Sequence, residues 1–127
     1  MRIGEAAARL GVAGHVLRHW EDEGLLRPRR TAGGDRVFDD ELVARAQLIA
    51  LCRRAQLSVP EIRELGLAAY EDRPALVAAK QAALAARMAE LDEASRFLAH
   101  TLECRHPLAT DCPECSAFAR GTHDASR

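Results

Sequence analysis

The chain has 127 residues, enough for one modest domain or a small domain with an added assembly element, but short for a two-domain enzyme. Hydrophobic residues make up 48% of the sequence and charged residues 29%, and a net charge of −1 argues against a surface that is basic throughout. The apolar runs are too short to cross a bilayer, and the first residues lack the apolar core of a secretory signal. We therefore expect a cytoplasmic globular protein without a membrane partner.

Residues 1–24 predict two short helices around a tight turn. The apolar positions of both helices follow helical spacing; they are Ile3, Ala6, Ala7 and Leu10 in the first helix and Val16, Leu17 and Trp20 in the second. Gly11 and Gly24 end the two runs, and a small residue at Ala7 allows the helices to cross steeply. This spacing favours a helix-turn-helix, a unit that often binds DNA but also occurs as ordinary helix packing.

A basic segment follows the second helix. Residues 27–36 read RPRRTAGGDR and carry arginines against a single acid, Asp35. The pair Gly33 and Gly34 suits a short hairpin whose backbone needs positive φ. The segment therefore predicts a wing with a local basic patch, which the near-neutral total charge conceals.

Two further helices carry clear N-terminal signals. Asp39 is placed to cap a helix over residues 41–56, and Ser58 and Glu61 have the spacing of a capping box that starts a fourth helix. The third helix is predicted to have one largely apolar face, formed by residues at helical spacing: Leu42, Ala46, Ile49 and Arg53. Cys52 lies within this helix, and we interpret it as a core residue.

The longest uninterrupted pattern runs from about residue 74 to residue 103, with Asp72 as its predicted N-cap. Apolar residues recur every seven positions, and a second row lies four positions further on: Val77, Leu84, Leu91 and Leu98 in the first row, and Met88, Ser95 and Leu102 in the second. A helix of this length is about 45 Å long, too long to bury its stripe on the short helices alone. We expect a homodimer with an antiparallel coiled coil; the alternative is an arm that folds back on its own domain.

The stretch LECRHPLATDCPECSAF holds three of the chain's 4 cysteines. In a reducing cytosol, clustered thiols are more often metal ligands or redox sensors than structural disulfides. Cys104, His106, Cys112 and Cys115 supply three sulfurs and one imidazole, a set adequate for tetrahedral zinc. If Asp111 caps a short helix here, Cys112 lies at its N-terminus and is the more reactive thiol. A redox switch, or cysteines that simply pack the loop, are the alternatives.

The stretches IGEAAARLGVAGHVLRHWEDEGLLRP and GGDRVFDDE resemble the N-terminal part of MerR-family transcription regulators. That family's signature runs through an Arg-aromatic-aromatic-Glu motif, a Gly-Leu pair and an Arg-x-aromatic wing. The resemblance covers roughly residues 1–103. With the heptad pattern, it predicts a mainly α fold: a winged helix-turn-helix DNA-binding domain over 1–72, a long dimerisation helix over 73–103 in an antiparallel coiled coil, a cysteine-containing effector loop over 104–120, and a disordered tail over 121–127.

The resemblance also implies which residues contact DNA. These are Gly14, His15, Arg18, His19 and Trp20 on the second helix, and Arg27, Arg29, Arg30 and Arg36 around the wing. Arg18 matches the motif's arginine, whereas Trp20 has an alternative role in packing the two helices together. Two positions depart from the pattern, since His19 and Asp35 stand where the family has aromatics. We expect Asp35 to repel phosphate and to weaken the wing contacts.

A signal-binding site after the dimerisation helix is a further implication. Cys104 and Cys112 are separated by seven residues, with Pro113 next, and resemble the loop of copper-type members, in which two thiolates hold a monovalent ion. His106 and Cys115 would complete a closed zinc site instead, so Cu(I) and Zn(II) both stay open, as do a sensory and a structural role. We expect no organic cofactor and no catalytic residue.

Members of this family are dimers that bind palindromic operators and then bend and untwist the DNA so that RNA polymerase can engage the promoter. The resemblance therefore implies a regulator that controls transcription through DNA distortion in response to a metal ion or a thiol-reactive signal. Its expected partners are double-stranded promoter DNA, a second copy of the chain and RNA polymerase. A regulator with a purely structural zinc site and a thiol redox protein are the alternatives. We interpret His100 as a helix-surface residue and His123 as part of the tail.

Overall fold

Within residues 1–107 and 112–122, which the computed structural model describes, the chain forms six helices and one two-stranded hairpin. In chain order these are α1 (Ile3–Leu10), α2 (Gly14–Asp22), β1 (Arg29–Arg30), β2 (Arg36–Val37), α3 (Asp40–Arg54), α4 (Val59–Leu67), α5 (Arg73–Glu103) and α6 (Pro113–Arg120). The chain divides into two compact units, Met1–Leu76 and Val77–Arg127. Asp111 and His123, for which roles were predicted, lie outside the described residues.

Helices α1 and α2 form the predicted helix-turn-helix. Gly11 ends α1 with φ +69°, a left-handed conformation that a residue with a side chain rarely adopts. Ala6 and Ala7 are buried on α1, and Leu17 and Trp20 are buried on α2. Small alanines on one helix therefore leave room for the large side chains of the other, as a steep crossing requires.

The predicted wing is present as an antiparallel hairpin in which Arg30 pairs with Arg36. Gly34 turns the chain between the two strands with φ +88°. The base of the wing is anchored to the start of the chain, because Phe38 donates its backbone N–H to Met1 at 2.7 Å and its carbonyl accepts from the Met1 amine at 2.9 Å. The Phe38 side chain is fully buried beside this contact.

Both predicted N-terminal signals are confirmed. The Asp39 carboxylate accepts the Leu42 amide at 2.8 Å, and Ser58 and Glu61 form a complete capping box with bonds of 3.2 and 2.9 Å. The buried face of α3 comprises Val43, Ala46, Ile49 and Ala50. It shares Ala46 and Ile49 with the predicted face, and Leu42 is partly buried beside it. Cys52, predicted as core, is only partly buried at the margin of the cluster, because the face turned inward is centred on the neighbouring row.

Helix α5 confirms the predicted long helix; its 31 residues correspond to about 46 Å. Every residue of α5 is described, and none is buried in the single chain. Several members of the heptad rows are exposed, namely Val77, Met88, Leu91, Leu98 and Leu102. Among the described residues, no helix is both long and apolar enough to span a bilayer.

Helix α6 packs on the last turns of α5. The rings of Phe97 and Phe118 meet edge to face with centroids 5.6 Å apart, and the His100 ring centroid lies 5.9 Å from that of Phe118. Pro113 occupies the first turn of α6, where its missing N–H costs nothing. This packing brings the end of one helix and the start of another to the same place.

Candidate nucleic-acid interface and metal centre

Helix α2 has two distinct faces. Leu17 and Trp20 point into the core, whereas His15, Arg18 and His19 are exposed along the opposite face. The predicted base-reading side chains thus lie together on one open surface. Gly14 lies on the same helix, with the Arg18 guanidinium 4.0 Å from the place where a Cβ would stand.

Trp20 is placed differently from the other predicted DNA contacts. Only 3% of its surface is exposed, and it belongs to the core cluster with Leu17 and Phe38. This position matches the alternative role in packing the two helices, and a DNA contact by its indole N–H stays a prediction.

Glu21 ties the wing to helix α2. One carboxylate oxygen accepts from Arg36 Nε at 2.5 Å and the other from Arg30 Nη2 at 2.9 Å. Arg30 also donates to the Gly34 carbonyl at 3.0 Å, which stiffens the tip of the hairpin. Burial alone raises the pKa of the Glu21 carboxyl, but the hydrogen bonds and charges of Arg36 and Arg30 outweigh it and hold the pKa below its ordinary value.

The sequence analysis did not predict that Glu21 binds the wing arginines, although Glu21 is the last residue of the motif that begins at Arg18. The two wing arginines are thus held against helix α2 by a carboxylate. Arg27 and Arg29 are exposed, and their contact with DNA stays a prediction.

Asp35 has a partner that the sequence did not indicate. Its carboxylate lies 3.4 Å from the Arg2 guanidinium, and both side chains are largely open to solvent. A neighbouring cation offsets the expected repulsion of phosphate, although an exposed pair of this kind contributes little to stability. Arg2 therefore adds a positive charge beside the wing.

The C-terminal unit brings together a cluster of three thiols and one imidazole. The ligand atoms of His100, Cys104, Cys112 and Cys115 all lie within 4.8 Å of one another. His100 lies in the last turn of α5 and Cys104 directly follows that helix, while Cys112 is the N-cap of α6 and Cys115 lies in its first turn. The three predicted cysteines are thus brought together.

The histidine of the cluster is not the predicted one. His100 was interpreted as a helix-surface residue, but only 12% of its side chain is exposed because α6 covers it. Its Nε2 lies 3.4 Å from the Cys112 sulfur. The predicted ligand His106 is exposed and stands outside the four, with Nδ1 3.5 Å from the Cys104 sulfur.

The pKa values of the two cysteines in the Cys-Pro-Glu-Cys segment are shifted in opposite directions. A hydrogen bond from the Cys115 backbone, which outweighs burial, lowers the pKa of the Cys112 thiol to about 6, and the His100 side chain contributes in the same direction. Burial raises the pKa of the Cys115 thiol to about 11, and the neighbouring thiols add to this. The lowered pKa of Cys112 has the predicted direction, and its greater reactivity stays a prediction because only 3% of its surface is exposed.

This donor set fits a metal ion. Thiolate sulfur and imidazole nitrogen are the ligands that zinc and other soft or borderline ions prefer, and four such groups around one point can close a tetrahedral site.

Comparisons with known proteins agree with both parts of this description. A family model described as "MerR HTH family regulatory protein" matches residues 1–68, and one described as "MerR, DNA binding" matches residues 43–102. The chain belongs to the MerR family of helix-turn-helix regulators. It is thus a MerR-type transcription regulator with the expected winged fold.

Of three similar proteins, two are described with a metal: one is named as heavy metal-dependent and one has a structure with lead(II). The transcriptional regulator HmrR of Rhizobium leguminosarum bv. viciae is 34% identical over 91% of this chain and 92% of its own length. Heavy metal-dependent transcription regulator 2 of Rhizobium meliloti (strain 1021) is 31% identical over 96% of this chain and 88% of its own. The structure of the regulator PbrR691 from Ralstonia metallidurans CH34 in complex with lead(II) superimposes with a TM-score of 0.66 at 28% identity, over 93% of this chain and 98% of that one.

Replacing Glu21 by glutamine in this MerR protein is expected to lower the free energy of unfolding by about 1–2 kcal/mol at neutral pH, because a partly buried charged acceptor is lost. Because the pKa of Glu21 is lower in the folded protein than in the unfolded chain, where it is about 4.3, the ionised carboxylate stabilises the fold at pH values above about 4.3. This contribution to stability disappears as the pH falls through the pKa of Glu21 in the folded protein. Urea titrations from pH 7 down to pH 3 should therefore show the two proteins converging in acid. Glu5→Gln, at an exposed site on α1, is the matched control; equal effects of the two changes at pH 7 would contradict the assigned role of Glu21.

Proposed function

We propose that this MerR protein is a homodimeric regulator that binds palindromic promoter DNA and changes its shape for RNA polymerase when a metal ion binds the C-terminal cluster. The observation that carries the proposal is the occurrence, in one chain, of a basic winged helix-turn-helix and a cluster of three thiols and an imidazole at the end of the long helix. The first supplies a DNA reader and the second a receptor for a signal.

The exposed stripe on α5 supports the dimer. Leu91 and Leu98 are more than half exposed in the single chain, a poor arrangement for a helix of this length in water. Packing this stripe against the same stripe of a second copy in an antiparallel coiled coil removes it from solvent. A two-fold dimer then presents two copies of α2 to two half-sites, which accounts for a palindromic operator.

The DNA contacts follow from the open face of α2 and the wing. We place Arg18, with His15 and His19, in the major groove, where an arginine recognises guanine edges or contacts phosphate. Gly14 allows a close approach of the backbone. Arg27 and Arg29 lie free for the phosphates, and Arg30 and Arg36 reach them while held by Glu21.

A metal ion as the signal is supported by the donor set and by the similar proteins. Heavy metal-dependent transcription regulator 2 and the lead(II) complex of PbrR691 are both similar to this chain over most of its length. The cysteines Cys104, Cys112 and Cys115 hold the ion with an imidazole, and Zn(II) and Cu(I) are the first ions to test. The ion supplies a charge and a fixed bond geometry that join α5 to α6.

We propose regulation by binding rather than catalysis, in the cytoplasm. The similar proteins carry the names of transcription regulators. The Cys-Pro-Glu-Cys segment lies at the start of a helix packed on another helix, not after a strand as thioredoxin-like chemistry requires.

The proposal is tested by in vitro transcription from the protein's own promoter region with purified RNA polymerase and added Zn(II), Cu(I) or oxidant. We expect low transcription without metal and a rise with one of the two ions. The variant Cys104→Ser/Cys112→Ser should bind the operator but lose the response, whereas Cys52→Ser, outside the cluster, should keep it. Unchanged induction curves in the double variant would refute metal sensing by this cluster.

A further inference from the structure

The imidazole of His100 is held at both nitrogens. Nδ1 lies 3.0 Å from Oε2 of Glu114, and Nε2 lies 3.4 Å from the sulfur of Cys112. In the neutral imidazole with its proton on Nδ1, which the carboxylate accepts, the lone pair on Nε2 faces the Cys112 sulfur and is available to a metal ion. A carboxylate that holds the outer nitrogen of a histidine is the arrangement found around protein zinc sites, where it fixes the tautomer and the orientation of the ring.

The spacing of the cluster suits a four-coordinate ion. In a tetrahedral zinc site, with bonds of roughly 2.3 Å to sulfur and 2.0 Å to nitrogen, neighbouring ligand atoms are roughly 3.5–3.8 Å apart. The 3.4 Å between Cys112 and His100 is close to such an edge, and the whole set spans no more than 4.8 Å. A linear two-thiolate site needs neither the imidazole nor the carboxylate behind it.

We propose that His100, positioned by Glu114, is the nitrogen ligand of a closed divalent-metal site of the zinc class, completed by Cys104, Cys112 and Cys115 of the same chain. This inference rests on the proposed function, because it specifies the ion and the ligands of its signal site. All four proposed ligands belong to one chain, so the metal ion needs no ligand from a second copy. It also replaces His106, which the sequence had indicated.

The surroundings of the two histidines explain why His100, and not His106, is the proposed nitrogen ligand. His100 is fixed by the ring of Phe118 and by Glu114, so little conformational entropy is lost when it binds an ion. His106 is exposed beyond the end of α5, and its Nδ1 lies 3.5 Å from the Cys104 sulfur. Glu114 is itself 65% exposed, so its carboxylate orients the imidazole while remaining accessible to water.

The test compares His100→Asn with His106→Asn in the full-length protein. Zn(II) affinity is measured by competition with a chromophoric chelator, and Co(II) serves as a spectroscopic probe of ligand number and type. We expect one ion per chain, a tetrahedral Co(II) spectrum with sulfur charge-transfer bands, and a loss of Zn(II) affinity of on the order of 10- to 100-fold or more for His100→Asn. His106→Asn should keep both the affinity and the spectrum.

Glu114→Gln tests the positioning role. It should lower Zn(II) affinity about tenfold or more while the Co(II) spectrum keeps its ligand set, whereas Glu103→Gln, which removes the same charge at the exposed end of α5, should not. Thermal unfolding of the metal-free proteins checks that the variants fold.

Two results would overturn the inference. One is a loss of affinity in His106→Asn with none in His100→Asn, and the other is tight binding of Cu(I) alone by the wild-type protein. Both would leave the proposed metal-responsive regulator intact. Conversely, a site assembled as described but without effect on transcription would refute the signalling role and leave the ligand assignment standing.

Discussion

Arg18→Ala is expected to abolish specific operator binding at concentrations that saturate the wild-type protein. Arg18 is exposed on the open face of α2, beside the positions of His15 and His19. An arginine contact to a base edge contributes about 1–3 kcal/mol, and a dimer loses two of them. The expected loss is therefore about 2–6 kcal/mol, which corresponds to roughly 30-fold to 10⁴-fold in Kd.

Fluorescence anisotropy with the operator and with a scrambled duplex measures this effect. Arg9→Ala is the matched control, because Arg9 is an exposed arginine in the last turn of α1. A base contact predicts lost discrimination between the two duplexes, whereas a phosphate contact predicts similar losses on both and a reduced salt dependence. If Arg18→Ala and Arg9→Ala weaken binding equally, Arg18 is not a recognition residue.

Trp20→Ala is expected to unfold the N-terminal unit or to destabilise it by about 3–5 kcal/mol, since a large buried aromatic leaves a cavity. Domains of this size are stable by only about 5–15 kcal/mol in total, so the loss is a large part of the whole. Denaturant titration followed by circular dichroism measures it.

Trp20→Phe separates the packing role from a DNA contact. Phenylalanine keeps most of the apolar ring and removes the indole N–H, so we expect a smaller loss of stability and an operator affinity within about threefold of wild type. A well-folded Trp20→Phe protein that binds the operator much more weakly would instead support a DNA contact through the N–H.

Much of the fold could be predicted because its signals are local. Gly11 and Gly34 mark places where the backbone turns with positive φ, and Asp39 caps the helix that follows it. The seven-residue repeat of α5 likewise depends only on neighbouring turns of one helix. In each case the residue and the structure it specifies are a few positions apart.

The candidate site was predicted in part for the same reason. Cys112 and Cys115 were recognisable as a pair because they are close together in the Cys-Pro-Glu-Cys segment. Arg18 was recognisable from the motif around it. The sequence analysis assigned the role of nitrogen ligand to His106, because it is near Cys104 in sequence. It interpreted His100 as a residue of the helix surface.

The sequence by itself determined the helix-turn-helix, the wing, the caps and the long helix, since short-range sterics and hydrogen bonds specify them. Only the tertiary structure decided that Trp20 lies in the core, that Glu21 holds the wing arginines, and that His100 joins the thiols under Glu114. Those outcomes depend on which faces meet when separate elements pack. The packing of α6 on α5 buries one particular imidazole, and no periodicity within either helix carries that information.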